Sequence, residues 1–291
     1  MSKTAILTDT NSGILQKEAD AMGIFLLHMT FTVNGVDYKE EIDIKWNEFY
    51  NMLSDPHTTV STTQPSPGEL SEMWEEILKS YDEIVYIPMS SGLSSSCQTA
   101  KMLAESDYQG KVFVVDNRRI SVTQYQSVVD AKAMADKGIG AADICRRLEE
   151  DAALSSIYIM VNKLTYLKRG GRVTAAGVLI ANVMNLKPVL QIQGAKLDAY
   201  SKCRGTKAAK LSMIEAMKKD LETRFKDLAD DGKMTLHVSF CDMTVFEVES
   251  WKSEIREAFP EYEIHSAPLS LSIGCHIGPG ALAIACAKRS E

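Results

Sequence analysis

Two polar loops carry residue types that could hold an anion. The first reads Ser61-Thr62-Thr63-Gln64-Pro65-Ser66-Pro67-Gly68-Glu69 and the second Ser90-Ser91-Gly92-Leu93-Ser94-Ser95-Ser96. Each leads directly into a helical run. Ser66 to Glu69 has capping-box spacing, with Pro67 at the first helical position. Ser94 to Ser96 offers a cap for the run through Ala104. A helix start leaves backbone N–H groups at the positive end of its dipole, and nearby hydroxyls add donors. Taken alone, the two loops read equally well as ordinary capped helix starts. Neither contains a lysine, and the chain has no GxxxxGK[ST] and no GxGxxG, so nothing supports a nucleotide triphosphate site.

A third stretch, Gly274-Cys275-His276-Ile277-Gly278-Pro279-Gly280-Ala281, reads as a glycine-rich loop in which the backbone can approach a ligand closely. Of the five histidines (His28, His57, His237, His265 and His276), only His276 has this setting. With the Ser94 or Thr62 hydroxyl it could form a nucleophile pair. However, the chain has no G-x-S-x-G elbow and no obvious acid to orient the imidazole. Hydroxyls and a histidine without a carboxylate suit holding an acidic head group better than attacking it.

The chain has 291 residues, 45% of them apolar, enough for two domains or one large one. Its net charge of −7 disfavours general nucleic-acid binding. No apolar run approaches the ~20 residues that span a bilayer, and Asp9 interrupts the N-terminal apolar run before a signal peptide could form. We therefore expect a cytoplasmic protein. The six cysteines form no CxxC pair, so zinc is not expected and the thiols should be free. Charge is uneven: Ser155 to Lys210 holds ten basic residues and one acidic, Asp198, a net of +9 that leaves −16 elsewhere. A solvated face would explain this, as would a docking surface for an acidic partner or an anionic membrane.

Strands are expected at Thr4–Thr8, Ile24–Val33, Val36–Lys39, Ile84–Pro88 and Val112–Val115. Asn34-Gly35 forms a hairpin turn, and Asp43 caps a helix through Leu53. Further helices are expected at Leu15–Met22, Glu69–Lys79, Ser95–Glu105, Ser121–Asp136 and Ala141–Ala152. Alternation of this kind implies a mostly parallel sheet with helices on its faces, and ligands outside the carboxyl ends of its strands. Asp9, the Ser61–Ser66 loop, the Ser90–Ser96 loop and Asp116 converge at that edge. After Ala153 the pattern changes to hairpins mixed with helices, an α+β arrangement. It includes a small-residue helix near Ala175–Val183, strands at Ile157–Val161, Val189–Ile192 and Lys196–Tyr200, and a long helix from Thr206 to about Leu228. Thr235–Phe240, Glu263–Pro268 and Gly280–Cys286 are strands, with a helix at Val245–Ala258.

Six motifs occur in order: Thr8-Asp9-Thr10, Ser61 through Glu69, Ser90-Ser91-Gly92-Leu93-Ser94, Leu167-Lys168-Arg169-Gly170-Gly171-Arg172, Lys187-Pro188-Val189-Leu190, and His276-Ile277-Gly278-Pro279-Gly280-Ala281. Together they resemble the DegV family of bacterial fatty-acid-binding proteins, the FakB subunits of fatty acid kinase, over nearly the whole chain. The resemblance implies an α/β N-terminal domain over residues 1–153 and an α+β domain over 154–291, with a long-chain fatty acid buried between them. It implies that Thr62, Ser94 and His276, with Ser61 beside them, hold the carboxylate. It implies no catalytic residue, metal or cofactor in this chain. A separate ATP-binding kinase subunit would phosphorylate the bound carboxylate, and acyltransferases at the membrane would take the acyl phosphate into phospholipid synthesis. Arg169, Arg172, Lys187, Arg204 and Lys207 become candidates for docking the kinase. Departures from the pattern are Thr63, Cys97, Ala283, Gly205 after Arg204, and Asp116-Asn117-Arg118-Arg119. Cys97 and Ala283 are expected to alter pocket width.

An acyl chain of about 16 methylenes gains ~0.8 kcal/mol per buried CH2, over ~10 kcal/mol gross before ordering costs. The protein must supply an apolar tunnel with few polar groups at its mouth, and the Ala175–Ala181 helix is one candidate wall. Two other readings use the same cleft: a Ser–His hydrolase or small-molecule phosphotransferase, and a carrier of another amphiphile with no kinase partner.

Overall fold

The computed structural model describes residues 2–170 and 186–290. The Ala175–Val183 helix and Arg172 lie outside the described residues, as does the side chain of Arg169. The fold is α/β, a parallel sheet flanked by helices followed by a larger mixed sheet. In the first half β1 (Thr4–Asp9), β2 (Phe25–Leu27), β6 (Glu83–Ile87) and β7 (Val112–Val114) form a parallel sheet of order β2-β1-β6-β7. Helices α1 (Gln16–Met22), α3 (Pro67–Leu78), α4 (Ser96–Asp107), α5 (Val122–Asp136) and α6 (Ala141–Glu150) connect and flank it. β3 (Thr30–Val33), β4 (Val36–Lys39) and β5 (Val60–Thr62) make a separate antiparallel sheet, and α2 (Trp46–Ser54) lies between β4 and β5 in sequence.

The expected single strand over Ile24–Val33 is two strands in two sheets. His28 makes the corner, its ring bridging the Glu40 carbonyl at 2.9 Å and Gln16 Oε1 at 2.8 Å. Met29 N–H, lost to either ladder, donates to Thr10 Oγ1 at 3.2 Å. Asp43 does not cap α2 but accepts from Lys39 N–H at 2.7 Å. Ser66 caps α3 as expected, accepting from Glu69 N–H at 3.1 Å. The reciprocal half of the box is replaced, since Glu69 pairs with Lys39 at 2.7 Å.

From β8 (Ser155–Met160) onward the strands join a six-stranded sheet with β9 (Leu186–Ile192), β10 (Leu197–Arg204), β11 (Met234–Cys241), β12 (Ile264–Pro268) and β13 (Ala281–Lys288). Its order is β10-β9-β8-β13-β11-β12, antiparallel except for the β11–β12 pair. α7 (Leu164–Gly170), α8 (Thr206–Glu222), α9 (Lys226–Asp230), α10 (Val245–Ala258) and α11 (Leu271–Ile277) complete this half. The long helix expected through Leu228 breaks near Phe225, a buried side chain whose N–H turns back to the Asp220 carbonyl at 2.9 Å.

β8 is buried along its whole length and β13 as far as Ala287, so their alternation sorts side chains between two apolar layers. Tyr158, Met160, Leu282 and Ile284 pack against Met213, Met217 and Trp251 of α8 and α10. Ile157, Ile159, Ala283 and Ala285 face the other way and join Phe31, Phe49, Tyr50 and Ile273 in a core shared by both halves.

Candidate functional site

Between the halves lies a cavity with about 880 Å³ of empty space, counting its mouth. Apolar residues from both halves line it, among them Met29, Met89, Leu93, Ile157, Ile159, Ile192 and Leu197. Thr62, Ser94 and His276 all open onto it.

Thr62 ends β5, opposite Phe31 of β3. Phe31 is fully buried, so the face it shares with Thr62 is the inner one. Thr62 Oγ1 lies 2.9 Å from His276 Nε2, a hydrogen bond joining the two halves. Ser61, one residue earlier, is exposed and does not line the cavity. Its expected place among the carboxylate ligands is therefore corrected. Successive side chains on a strand point to opposite faces, so Thr62 and Ser61 cannot share one site. Thr63 and Gln64, beyond the strand's end, do reach the cavity.

The second loop divides its serines between structure and site. Ser90 Oγ donates to the Ala195 carbonyl at 3.0 Å, pinning the loop beneath the β9–β10 hairpin. Gly92 is required there, because a Cβ would stand 2.1 Å from that carbonyl oxygen. Ser94 lines the cavity, with Oγ 2.7 Å from Ser96 Oγ and accepting from Ser96 N–H at 3.2 Å. Geometrically, then, the hydroxyl beside the imidazole is that of Thr62, and Ser94 Oγ engages its own loop.

The glycine-rich stretch is not wholly a loop, since His276 occupies the last turn of α11. Ser270 caps that helix by accepting from Ile273 N–H at 3.2 Å. Gly278 ends it with φ +74°, and a Cβ there would stand 2.2 Å from the Tyr166 ring. The glycines serve close packing against α7 and its neighbours, and this packing sets where the imidazole stands. Glu40, which was not singled out from the sequence, holds the other end of α11. It is buried, accepting from Leu271 N–H and from Thr10 Oγ1 at 2.9 Å. Burial pushes its carboxyl up to about 8. The hint available in the sequence was weak: an acid at the end of a hairpin strand.

Asp9 ends β1 and Asp116 follows β7, at the expected carboxyl edge, but neither is part of the cavity lining. Asp9 is completely buried beneath it, accepting from Met89 N–H at 3.0 Å and Gln124 Nε2 at 3.0 Å. Burial raises it to about 6. Cys97 also lies away from the cavity, in the core between α3, α4 and the parallel sheet, with its thiol pushed up to about 12 by burial. Ala283 does line the cavity. Arg119 has a structural role: buried, it donates to Ser127 Oγ at 3.1 Å and to the Asp151 carbonyl at 2.9 Å, fastening α5 to the end of α6.

Of the docking candidates, Arg204 and Lys207 are exposed at the end of β10 and the start of α8. Gly205 between them has φ +83°, a conformation that glycine adopts without strain. Lys187 instead turns inward, Nζ donating to Asn162 Oδ1 at 2.7 Å. Among the described residues no group of three or more His, Cys, Asp or Glu could hold a metal ion. None of the described helices is long and apolar enough to cross a membrane.

A DegV domain-containing protein of Caldanaerobacter subterraneus subsp. tengcongensis is 30% identical over 288 residues, which is 98% of each chain. The solved structure of Bacillus subtilis DegV, described as a fatty acid binding protein, is 25% identical. It has a TM-score of 0.83 and covers 99% of this chain and 100% of its own. A DegV family protein from Thermus thermophilus, described for its fatty acid binding, shares the fold at 24% identity. Its TM-score is 0.87, over 99% of this chain and 100% of its own. Residues 3–289 match the family described as "Uncharacterised protein, DegV family". Matched over that length, the chain belongs to the DegV family.

Proposed function

We propose that this protein binds a long-chain fatty acid in the cavity between its halves. The carboxylate is held by Thr62, Ser94 and His276, and the acyl chain runs among the isoleucines and leucines of the six-stranded sheet. It then presents the carboxylate to a separate ATP-dependent kinase subunit, which makes an acyl phosphate for phospholipid synthesis by acyltransferases. In this reading the chain is a cytoplasmic carrier subunit, and phosphoryl transfer belongs to the partner. The two domains are residues 1–153 and 154–291. Arg204 and Lys207, both exposed, belong to the face that meets the kinase, and Arg169 and Arg172, from the same basic segment of the sequence, are further candidates for that contact.

The support that carries most weight is the cavity itself, whose long apolar wall meets the Thr62–His276 pair (2.9 Å). Neutral hydroxyls and an imidazole can hold a carboxylate without a buried permanent cation, leaving one oxygen positioned for attack on a phosphoryl group. The descriptions of the Bacillus and Thermus relatives point to the same ligand class. The test is to load the purified protein with palmitate, add the kinase subunit and ATP, and trap product with hydroxylamine. Acyl hydroxamate that forms only with both proteins present is the expected result. Palmitate binding without hydroxamate would remove the kinase step and leave a carrier. Ester hydrolysis by the chain alone, lost in Ser94→Ala, would replace both by a hydrolase.

A further inference from the structure

The cavity has polar lining beyond Thr62, Ser94 and His276. Asn11, Ser121 and Ser239 all line it, and all are nine-tenths or more buried. Asn11 Nδ2, Ser121 Oγ and Ser239 Oγ each lack a hydrogen-bond partner among the described residues. Buried polar atoms are seldom left so, because each gives up its water without replacement.

These atoms are held in place rather than left loose. Asn11 Oδ1 accepts from Ser270 Oγ at 3.0 Å and Ser272 Oγ at 2.6 Å, which fixes the amide and leaves its NH2 unused. Ser121 N–H donates to the Asn11 carbonyl at 2.8 Å. Ser121 stands at the cap position of α5, yet its hydroxyl does not cap the helix, and its φ is +56°. A non-glycine residue in that region is strained, and such strain gathers at ligand clamps. Ser239 is flanked on its neighbouring strands by Ala267 and Ala283, neither of which offers its hydroxyl a side-chain partner.

We infer that Asn11, Ser121 and Ser239 form a subsite for a neutral oxygen on the acyl chain, so that the cavity prefers a hydroxy or oxo fatty acid to a plain one. This rests on the fatty-acid reading above. An amide NH2 and two hydroxyls match a hydroxyl or carbonyl oxygen. The buried Asp9 carboxylate, which accepts from Asn11 N–H at 3.1 Å, disfavours a second anion there.

The test compares binding of stearic acid with stearic acids hydroxylated singly along the chain, by calorimetry on delipidated protein. One positional isomer should bind about tenfold tighter than stearate, the worth of one well-made hydrogen bond. Ser239→Ala and Ser121→Ala should each bring that isomer to within about threefold of stearate while stearate binds no worse. If stearate binds and no isomer exceeds it, the subsite is wrong and the fatty-acid reading stands. An isomer preference that survives both substitutions also overturns the subsite. If neither plain nor hydroxylated acid binds, both fall together.

Discussion

The two halves contribute opposite things to one cavity. Among its described lining residues, six of ten from the first half are polar, against three of twelve from the second. The difference follows from how each half is built. Lining from the parallel half comes from loops and strand ends, where turn and cap residues such as Thr62, Gln64 and Ser94 must be polar in any case. Lining from the second half comes from the strands, where Ile157, Ile159 and Ala283 alternate with side chains buried on the opposite face, and from α11, which adds Ile273 and Ile277. Chemistry can therefore vary on the loops while the apolar wall stays fixed by the sheet's own packing. His276 is one of the three polar groups from the second half, held at the end of a short helix and hydrogen-bonded to Thr62 of the first.

The apolar half should be the easier one to break. Ala283→Phe fills space that about four methylenes would occupy, worth ~3 kcal/mol at ~0.8 kcal/mol per CH2. Palmitate affinity should fall roughly 150-fold while a four-carbon acid is little affected; calorimetry with both acids, and a melting curve to check folding, decide it. On the polar half, Ser94→Ala should cost ~1–3 kcal/mol, about five- to 150-fold in affinity. That loss should be the same for palmitate and for a shorter acid, since only the head group is touched. A loss that grows with chain length would place Ser94 along the tail.

The link between the halves should respond to pH. Glu40 and Asp9 lie at about 8 and about 6, both above their ordinary values because they are buried. The folded protein therefore holds protons that the unfolded chain has released, and stability falls as pH rises from about 4 to about 8. Glu40→Gln removes one of these groups, so its melting temperature should change less between about pH 5 and pH 8 than that of the wild type. Equal slopes would remove Glu40 as a source. The smallest effect is expected from Ser61→Ala, within ~0.5 kcal/mol and about twofold in palmitate affinity. A larger loss would mean that β5 presents its other face to the ligand.

Much of this architecture could be read from residue patterns. Alternating strands and helices foretold the parallel half, and Asn34-Gly35 its hairpin. The second half was legible as hairpins mixed with helices. What escaped depended on contacts distant in sequence. Asp9 looked like a ligand-edge acid and is buried beneath the cavity. Glu40 was not singled out at all and holds α11. Cys97 was expected to shape the pocket and lies in another core, whereas Ala283, named for the same reason, faces the cavity. The glycines around His276 suggested a loop that approaches a ligand closely, but two of them allow a helix and its exit to pack against Tyr166 and Tyr50. Ser61 and Thr62 could not be separated by residue type alone, because the choice between them depends on which way Phe31 of the neighbouring strand faces.

The most direct test of a fatty acid in this cavity is extraction of the purified protein under denaturing conditions, followed by mass spectrometry for hydrophobic acids. One long-chain fatty acid per protein molecule is the predicted result, and its length and double bonds would be read at the same time. An empty extract from well-folded protein, still empty after incubation with mixed fatty acids, would contradict the account and turn attention to Ser94 as a nucleophile.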